Sequence, residues 1–147
     1  MHDNLKAFVN KFRIDELNIC DSNFWIWSLR PSQCTLASGI LSLKRYEEEF
    51  SKITAEESHD LKEILLTIET ALKKSFKYDK INYLMLMMVD PHLHFHVIPR
   101  YSQETSFSSK SWIDSGWPSL PDLSSNGPEH PVLLYEIRDR IISFLPS

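Results

Sequence analysis

Histidine occupies every second position in the stretch HLHFHVI, residues 92–98. Alternate side chains of a β-strand point to the same face, so His92, His94 and His96 should share one face at steps of about 6.5–7 Å. The stretch therefore predicts a strand that carries a ladder of three imidazoles over a solvent-filled pocket, where the histidines would contribute little to folding. The intervening residues should anchor the opposite face in a core: Leu93, Phe95 and Val97.

The segments around this strand have the periodicity of helices and strands. Apolar residues at 5, 8, 9 and 12 predict a short N-terminal helix. The stretches 23–31 and 35–45 predict two strands, with Gly39 marking a bulge or a close backbone approach. The apolar run INYLMLMMVD, residues 81–90, predicts a strand buried on both faces, as in the middle of a sheet. The short turn at Asp90-Pro91 makes this strand an antiparallel neighbour of the histidine strand.

Two more helices complete the predicted domain. Thr54 stands three residues before Glu57, a capping-box spacing, and opens a long amphipathic helix that should end near Lys77. After it, residues 102–130 are rich in Ser and Pro and predict an irregular excursion anchored by two tryptophans, Trp112 and Trp117. Pro131 should open the last helix. Its inner face is predicted to carry Leu134, Ile137, Ile141 and Phe144 or Leu145. The order predicts one α+β domain over residues 1–147 with a mainly antiparallel sheet.

Composition excludes several classes of protein. The net charge of -4 comes without a basic block, which argues against binding of nucleic acid through its phosphates. The sequence carries no signal-peptide pattern and no apolar run of membrane-spanning length, so a secreted or membrane protein is not expected. Cys20 and Cys34 are too far apart for a CxxC motif and are interpreted as free thiols in a reducing cytoplasm.

The histidine ladder has three chemical interpretations. It can be an exposed polar face, or a zinc site completed by a remote ligand such as His59 or His130, although both look like surface or capping residues. The third interpretation, which we favour, is covalent catalysis at phosphorus. A neutral imidazole is a nucleophile that titrates near neutral pH, and flanking histidines can orient it and protonate a leaving group.

The stretch HLHFHVI, followed by PRY, resembles the motif of the histidine triad (HIT) superfamily, and the order of GILSLKR, the helix after ITAEE and the triad strand supports the likeness. The longer stretch INYLMLMMVDPHLHFHVIPRY and the later SGWPSLPDL resemble bacterial members similar to diadenosine polyphosphate hydrolases. The resemblance implies a HIT-like fold, with an antiparallel sheet of about five strands, a long helix and a C-terminal helix. It also implies a homodimer with a continuous ten-stranded sheet. No cofactor is implied, although the nucleotide can enter as its magnesium complex.

The resemblance also implies an activity. Triad enzymes are nucleotide hydrolases or nucleotidyl transferases that cleave at the α-phosphate, here of dinucleoside polyphosphates or nucleoside phosphoramidates. By this likeness His94 would attack phosphorus and carry the nucleotidyl group. His96 would contact the phosphate or assist the leaving group, and His92 would hold a hydrogen-bond relay behind them.

The sequence departs from the family pattern at two places that position phosphate. Many members carry a fourth histidine directly after a Pro-Gly where this chain has Ser38-Gly39-Ile40, and a Gly- and Gln-containing loop where this chain has the short turn MMVDPH. Phosphate contacts must therefore be rebuilt. The substrate-binding candidates are Arg100, which has the parity of the histidines, Lys44 or the neighbouring Arg45, and a tryptophan that stacks on the base: Trp27, Trp25 or Trp117.

Two alternatives to covalent catalysis remain open. The missing phosphate contacts leave room for a non-catalytic nucleotide-binding module. A zinc-dependent hydrolase that uses the ladder as ligands is the other.

Overall fold

A five-stranded antiparallel sheet forms the centre of the protein. A computed structural model describes residues 1–146. Every neighbouring pair of strands is antiparallel, so the predicted α+β class and antiparallel sheet are confirmed. In their order across the sheet, the strands are β1 (Asn18–Asp21), β2 (Trp25–Leu29), β3 (Gly39–Leu43), β5 (His94–Arg100) and β4 (Lys80–Leu84).

The long helix α2 (Ala55–Phe76) begins and ends where the sequence predicts. The hydroxyl of Thr54 accepts a hydrogen bond from the backbone of Glu57, and the Glu57 carboxylate accepts one from the backbone of Thr54, which closes the capping box. Lys77 ends the helix in the left-handed conformation. No helix among residues 1–146 has the length and apolarity needed to cross a membrane.

The two faces of the sheet carry cores of different size. Trp25, Trp27 and Val97 point toward α2 and toward α3 (Leu133–Ile142), and they belong to the main core. On the other face, the N-terminal helix α1 (Asp3–Lys11) packs a smaller cluster. Its buried members are Phe8, Ile14 and Ile40. The histidines lie on this second face, so the packing of α1 determines how much of the ladder is exposed to solvent.

β4 differs from its prediction. It pairs only with β5, lies at the sheet edge and ends at Leu84, while the rest of the apolar run leaves the sheet as a loop. Met88 and Val89 are more than four-fifths exposed. The prediction of a strand buried on both faces is therefore wrong. The run is apolar because it lines a cavity near the histidines rather than the middle of a sheet.

The segment after β5 is more ordered than predicted. It begins with a hairpin of β6 (Thr105–Phe107) and β7 (Lys110–Trp112). Trp112 anchors it as expected, since its side chain is buried and its Nε1 donates to the Gln33 carbonyl at 3.1 Å. The last helix starts two residues after Pro131. Its buried residues are Leu133, Ile137 and Ile141, whereas Leu134 is only half-buried.

Gly39 allows β3 to approach β2 closely. A Cβ at this position would lie 2.9 Å from the Ser28 carbonyl oxygen and 3.0 Å from Trp27 Nε1. The pairing of β2 with β3 is regular here, so of the two predicted reasons for Gly39 the close approach is the one observed.

Candidate active site

The histidine ladder lies on an interior strand and just ahead of it, and it is almost completely buried. β5 begins at His94 and runs between β3 and β4, and His92 stands just ahead of it. The exposed fractions of His92, His94 and His96 are 1%, 2% and 8%. The expectation of a solvent-filled pocket over the whole ladder is therefore wrong.

Helix α1 covers the ladder with two phenylalanines. The Phe8 ring centroid lies 5.0 Å from that of His92 and 4.9 Å from that of His94, and the Phe12 centroid lies 6.3 Å from that of His96. The apolar stripe predicted on α1 thus packs on imidazoles. Since aromatic contacts of this kind stabilise a core, the histidines contribute to folding, contrary to the sequence-based expectation.

Hydrogen bonds to the backbone hold His92 in one neutral form. Its Nε2 lies 2.8 Å from the Leu43 carbonyl oxygen, which only accepts, so Nε2 carries the proton. Its Nδ1 accepts from the Glu47 backbone N–H at 3.4 Å. Burial lowers the pKa of His92. Both nitrogens are engaged, so this side chain supports the site rather than reacting.

The hydrogen bond of His94 leaves its other nitrogen ready to react. Nδ1 lies 2.6 Å from the His92 carbonyl oxygen, and a carbonyl can only accept, so Nδ1 carries the proton. In the neutral ring the lone pair is then on Nε2. Burial lowers the pKa of His94, which keeps the ring neutral at neutral pH. This arrangement is the one that an imidazole nucleophile requires.

His96 stands beside His94 without a partner of its own. The two ring centroids are 5.1 Å apart, and Nδ1 of His96 is buried with no hydrogen-bond partner in the described chain. Burial, repulsion from His94 and the charge of Arg30 lower the pKa of His96 to about 4. A buried group without a partner costs free energy unless something binds it, so His96 is poised to contact a ligand.

A cavity of about 600 Å³ opens onto His94 and His96. We call it the His94 cavity. Its volume is in the usual range for small-molecule sites. Clefts of about 540 and 690 Å³ lie elsewhere and contain none of the three triad histidines. The apolar wall of the His94 cavity is Phe12, Leu86, Met87, Met88, Val89 and Leu123, and its polar lining is His94, His96, Lys11, Arg30 and Asp90.

An ion pair ties α1 to the rim of this cavity. Lys11 Nζ lies 2.8 and 2.9 Å from the two carboxylate oxygens of Asp90, in the turn before the histidine strand. The pair is partly exposed, so its contribution to stability is small, about 0–1 kcal/mol. The ion pair matters for position instead, because it holds the C-terminal end of α1 next to the His94 cavity.

The structure does not bring the predicted substrate-binding residues to the His94 cavity. Arg100 does share the parity of the histidines, but its guanidinium is committed to the Asp114 carboxylate at 2.6 and 3.0 Å and to Asn82. Trp27 is fully buried in the main core on the opposite face. Lys44 follows β3 and lies 3.6 Å from Asp21. The placement of Trp27 as a wall of the base pocket is therefore corrected.

The remaining candidates are also engaged elsewhere. Arg45 pairs with Glu57 at 2.7 Å and with Glu47 at 3.0 Å. His59 is exposed on α2, and His130 accepts from a backbone N–H near α3. Within residues 1–146, no group of three or more histidine, cysteine or acidic side chains is arranged to hold a metal ion.

Sequence reasoning missed Lys11, Arg30 and the wall formed by residues 86–89. One signal could have found Arg30. Ile26 packs in the cluster on the histidine face, and Arg30 follows it at an even spacing, as Ser28 does. The other residues reach the cavity through the packing of α1 and the path of a loop, which no local pattern specifies.

Acid should destabilise the protein through these histidines. The pKa of His96 is about 4 in the folded protein and has an ordinary value of 6.5. The unfolded chain therefore binds a proton at a higher pH than the folded chain does. The stabilisation is complete above pH 6.5 and is lost as the pH falls toward 4. For His96 alone the loss is about 3 kcal/mol.

Urea unfolding at pH values between about 7.5 and 4.5 measures this loss. Glu57, whose pKa is lowered from 4.5, loses its contribution only below that pH, so the interval above it isolates the histidines. His96→Gln should flatten the dependence, whereas His59→Gln, a change at an exposed histidine, should leave it intact. Equal unfolding free energies of the wild type at the two ends of the interval would contradict the prediction.

Comparison with known proteins identifies part of the chain. Residues 40–103, from β3 to just beyond β5, match the family model described as HIT domain. This match confirms the resemblance that the sequence analysis drew from the triad motif. No curated protein matches the sequence significantly.

Solved structures share the fold over most of the chain. A histidine triad protein from Sinorhizobium meliloti 1021 has a TM-score of 0.70 at 21% identity, over 90% of this chain and 93% of its own. A hypothetical histidine triad nucleotide-binding protein from Sulfolobus tokodaii strain7 has a TM-score of 0.66 at 12% identity, over 86% and 81%. A zinc-bound histidine triad family protein from Mycobacterium smegmatis has a TM-score of 0.61 at 14% identity, over 93% of both chains. At these identities the likeness shows the fold alone.

Proposed function

We propose that the protein, whose residues 40–103 match the HIT domain model, is a nucleotide phosphohydrolase or nucleotidyl transferase that cleaves at the α-phosphate through a nucleotidyl-histidine intermediate on His94. One observation carries the proposal. Nδ1–H of His94 donates to the backbone carbonyl of His92, which leaves the Nε2 lone pair free on a buried, neutral ring.

The His94 cavity suits a nucleotide. It has an apolar wall for a base and a polar lining for phosphate. One structural relative is named a nucleotide-binding protein, which supports the same class of ligand. Dinucleoside polyphosphates and nucleoside phosphoramidates are the substrates that the resemblance implies, and both present an α-phosphate bonded to a leaving group.

The reaction would proceed in two displacements. In the first, the Nε2 lone pair of His94 forms a bond to the α-phosphorus while the bond to the leaving group breaks, and the leaving group departs with the electron pair. In the second, water attacks the nucleotidyl-histidine, the phosphorus–nitrogen bond breaks, and a nucleoside monophosphate is released. His96 is the group beside His94 that can exchange protons with the leaving group and the water.

Two alternatives have support of their own. A binding module without turnover is favoured by the absence of the fourth histidine and by the short turn ahead of the triad. A zinc-dependent hydrolase is suggested by the zinc-bound relative. Against zinc, both nitrogens of His92 are occupied by backbone hydrogen bonds, so the ladder does not offer three free ligands.

Product analysis separates these functions. The purified protein is incubated with diadenosine polyphosphates and with adenosine phosphoramidates, and released AMP is quantified with and without a chelator. The proposal expects AMP, no loss of activity to the chelator and a base-stable nucleotidyl adduct on the peptide that contains His94. Binding without release of AMP would favour the module. Near one zinc per chain, with activity abolished by the chelator, would favour the metal enzyme.

We also propose that the protein is a homodimer. Within residues 1–146 the outer edge of β4 pairs with no strand, and a second copy can extend the sheet there. Near this edge, α2 and the sheet leave an apolar groove of about 290 Å³. Its lining is Phe50, Leu61, Leu65, Tyr83 and Phe95.

Light scattering at micromolar concentrations should give twice the mass of the 17.2 kDa chain. Leu65→Arg places a charge in the groove and should shift the equilibrium to monomer by about tenfold or more. Lys62→Glu, on the exposed face of the same helix, should leave the dimer unchanged. A monomer mass for the wild type across this range would overturn the proposal.

A single domain over residues 1–147 and a cytoplasmic location are part of the proposal. Cys20 and Cys34 are free thiols, which suits a reducing compartment.

A further inference from the structure

Arg30 projects from the end of β2 into the His94 cavity. Two of its N–H groups are used by the chain itself, since Nη1 donates to the Ser32 carbonyl at 3.0 Å and Nη2 donates to the Leu123 carbonyl at 3.2 Å. Its Nε is buried and has no partner in the described part of the chain. The guanidinium is therefore held in place by two hydrogen bonds while part of its five-donor fork stays unused.

The charge of Arg30 is also left without compensation. Of the charged residues that line the cavity, Lys11 and Asp90 neutralise each other. Among residues 1–146, no carboxylate lies within 4.0 Å of the Arg30 guanidinium. A partly buried cation with an unpaired donor is costly unless an anion binds it. The cavity thus has a fixed positive end beside His94 and His96.

We propose that Arg30 is the substrate-binding residue that holds the phosphate attacked by His94, with its unused N–H groups donating to the non-bridging oxygens. This inference rests on the proposed function and deepens it. Because the two carbonyl contacts fix the guanidinium before substrate arrives, the donors need no reorganisation when phosphate binds. His96 lines the same cavity, so its imidazole can offer the phosphate a further contact.

The position of Arg30 in the sheet explains how the site can lack a fourth histidine. The backbone N–H of Arg30 donates to the Ser38 carbonyl at 2.8 Å, so the two residues are cross-strand neighbours. Ser38 lies two residues ahead of Ile40, which stands in the place of the upstream histidine. Ile40 pairs with Ser28, two residues before Arg30, so Arg30 and Ile40 share one face of the sheet and Arg30 supplies a positive group near the place of the missing histidine.

Matched ligands test the phosphate contact directly. Affinities are measured by calorimetry for AMP and adenosine, for GMP and guanosine, and for inorganic phosphate. Arg30→Gln should weaken monophosphate binding by about 10–100-fold, the range expected for a hydrogen bond to a charged group, and should change nucleoside binding less than about threefold. Arg30→Lys keeps the charge without the fork, so its loss should be intermediate.

Ser32→Ala is the matched control for the other role of Arg30, which is to tie two loops together. The Ser32 hydroxyl bridges the same loops, to the Ser125 carbonyl and the Asn126 side chain, and it does not line the cavity. This variant should leave the ratio of monophosphate to nucleoside affinity unchanged. A purely structural Arg30 would give Arg30→Gln the same unchanged ratio.

A second readout is the titration of His96, followed by NMR. The charged and titratable groups that act on its pKa are His94, Arg30, Asp90 and Lys11. Removal of the Arg30 charge should raise the pKa of His96. Added phosphate should also raise this pKa, and the increase should be larger in the wild type than in Arg30→Gln.

The outcomes separate this inference from the proposed function. If the wild type cleaves nucleotides but Arg30→Gln weakens the binding of monophosphates and of nucleosides equally, the proposed role of Arg30 is overturned and the proposed enzymatic function stands. If phosphate binds through Arg30 but no nucleotide is bound or cleaved, the function fails and the anion site stands. If the wild type binds neither phosphate nor nucleotide at millimolar concentration, both are overturned.

Discussion

Replacing His94 with alanine or asparagine should abolish turnover, with a loss of about 10⁴-fold or more, while nucleotide affinity changes by less than about tenfold. The imidazole contributes the bond to phosphorus, which exists only along the reaction path. Ground-state affinity comes from contacts to the base and phosphate elsewhere in the cavity. The asparagine variant keeps a polar side chain of similar size near Phe8 and Phe12, so it limits damage to the packing of α1.

Two measurements on each variant decide the matter, namely single-turnover cleavage of the best substrate and calorimetric binding of AMP. Circular dichroism confirms that each variant is folded. His59→Ala, at an exposed histidine on α2, is the control and should keep the wild-type rate. A His94→Asn variant that is folded and cleaves at the wild-type rate would refute the covalent mechanism. A variant that loses binding and cleavage together would show that His94 contributes to substrate binding in the ground state instead.

Breaking the Arg100–Asp114 ion pair should destabilise the protein by about 3–5 kcal/mol. Both side chains are less than 5% exposed, and the guanidinium also donates to Asn82 and to the Ser119 carbonyl. Asp114→Asn leaves that guanidinium buried with its charge unpaired. Most of the loss should come from this unpaired charge rather than from the attraction that is removed.

Urea unfolding of Asp114→Asn measures the effect, and the exposed pair Lys52–Glu49 provides the comparison. Both partners of that pair are about 60% exposed, so Glu49→Gln should cost less than about 1 kcal/mol. The double variant Arg100→Met with Asp114→Leu should recover part of the lost stability, because no charge is left buried. A loss below about 1 kcal/mol for Asp114→Asn would show that solvent reaches the pair.

The elements that could be predicted from sequence are those with a strong local signal. The capping box fixed the start of α2, and the two-residue period located the histidine strand. β1 was not predicted because four residues with one buried side chain give almost no pattern. The apolar run 81–90 suggested a strand buried on both faces. It was misleading because the position of a strand at the sheet edge, and of a loop at a cavity, depends on which elements are neighbours in the fold.

The residues of the site likewise divide into those with a local sequence signal and those without one. The histidines were found because their spacing is local. Arg100 was assigned the correct face but the wrong partner, because Asp114 comes from an irregular segment whose path no sequence pattern specifies. The even spacing from Ile26 assigns Arg30 to the histidine face, but its binding role became visible only when the structure showed one of its donors buried without an acceptor.

The acceptor that fixes the tautomer of His94 belongs to the main chain of residue 92 and not to its side chain. Every amino acid at that position would supply the same carbonyl. The side chain of His92 packs against Phe8 and Tyr46 and donates a hydrogen bond to the Leu43 carbonyl, and these contacts limit which residues can replace it. A replacement that keeps the packing should leave the tautomer of His94 unchanged. Among descendants of this chain, the first histidine should be the most replaceable of the three.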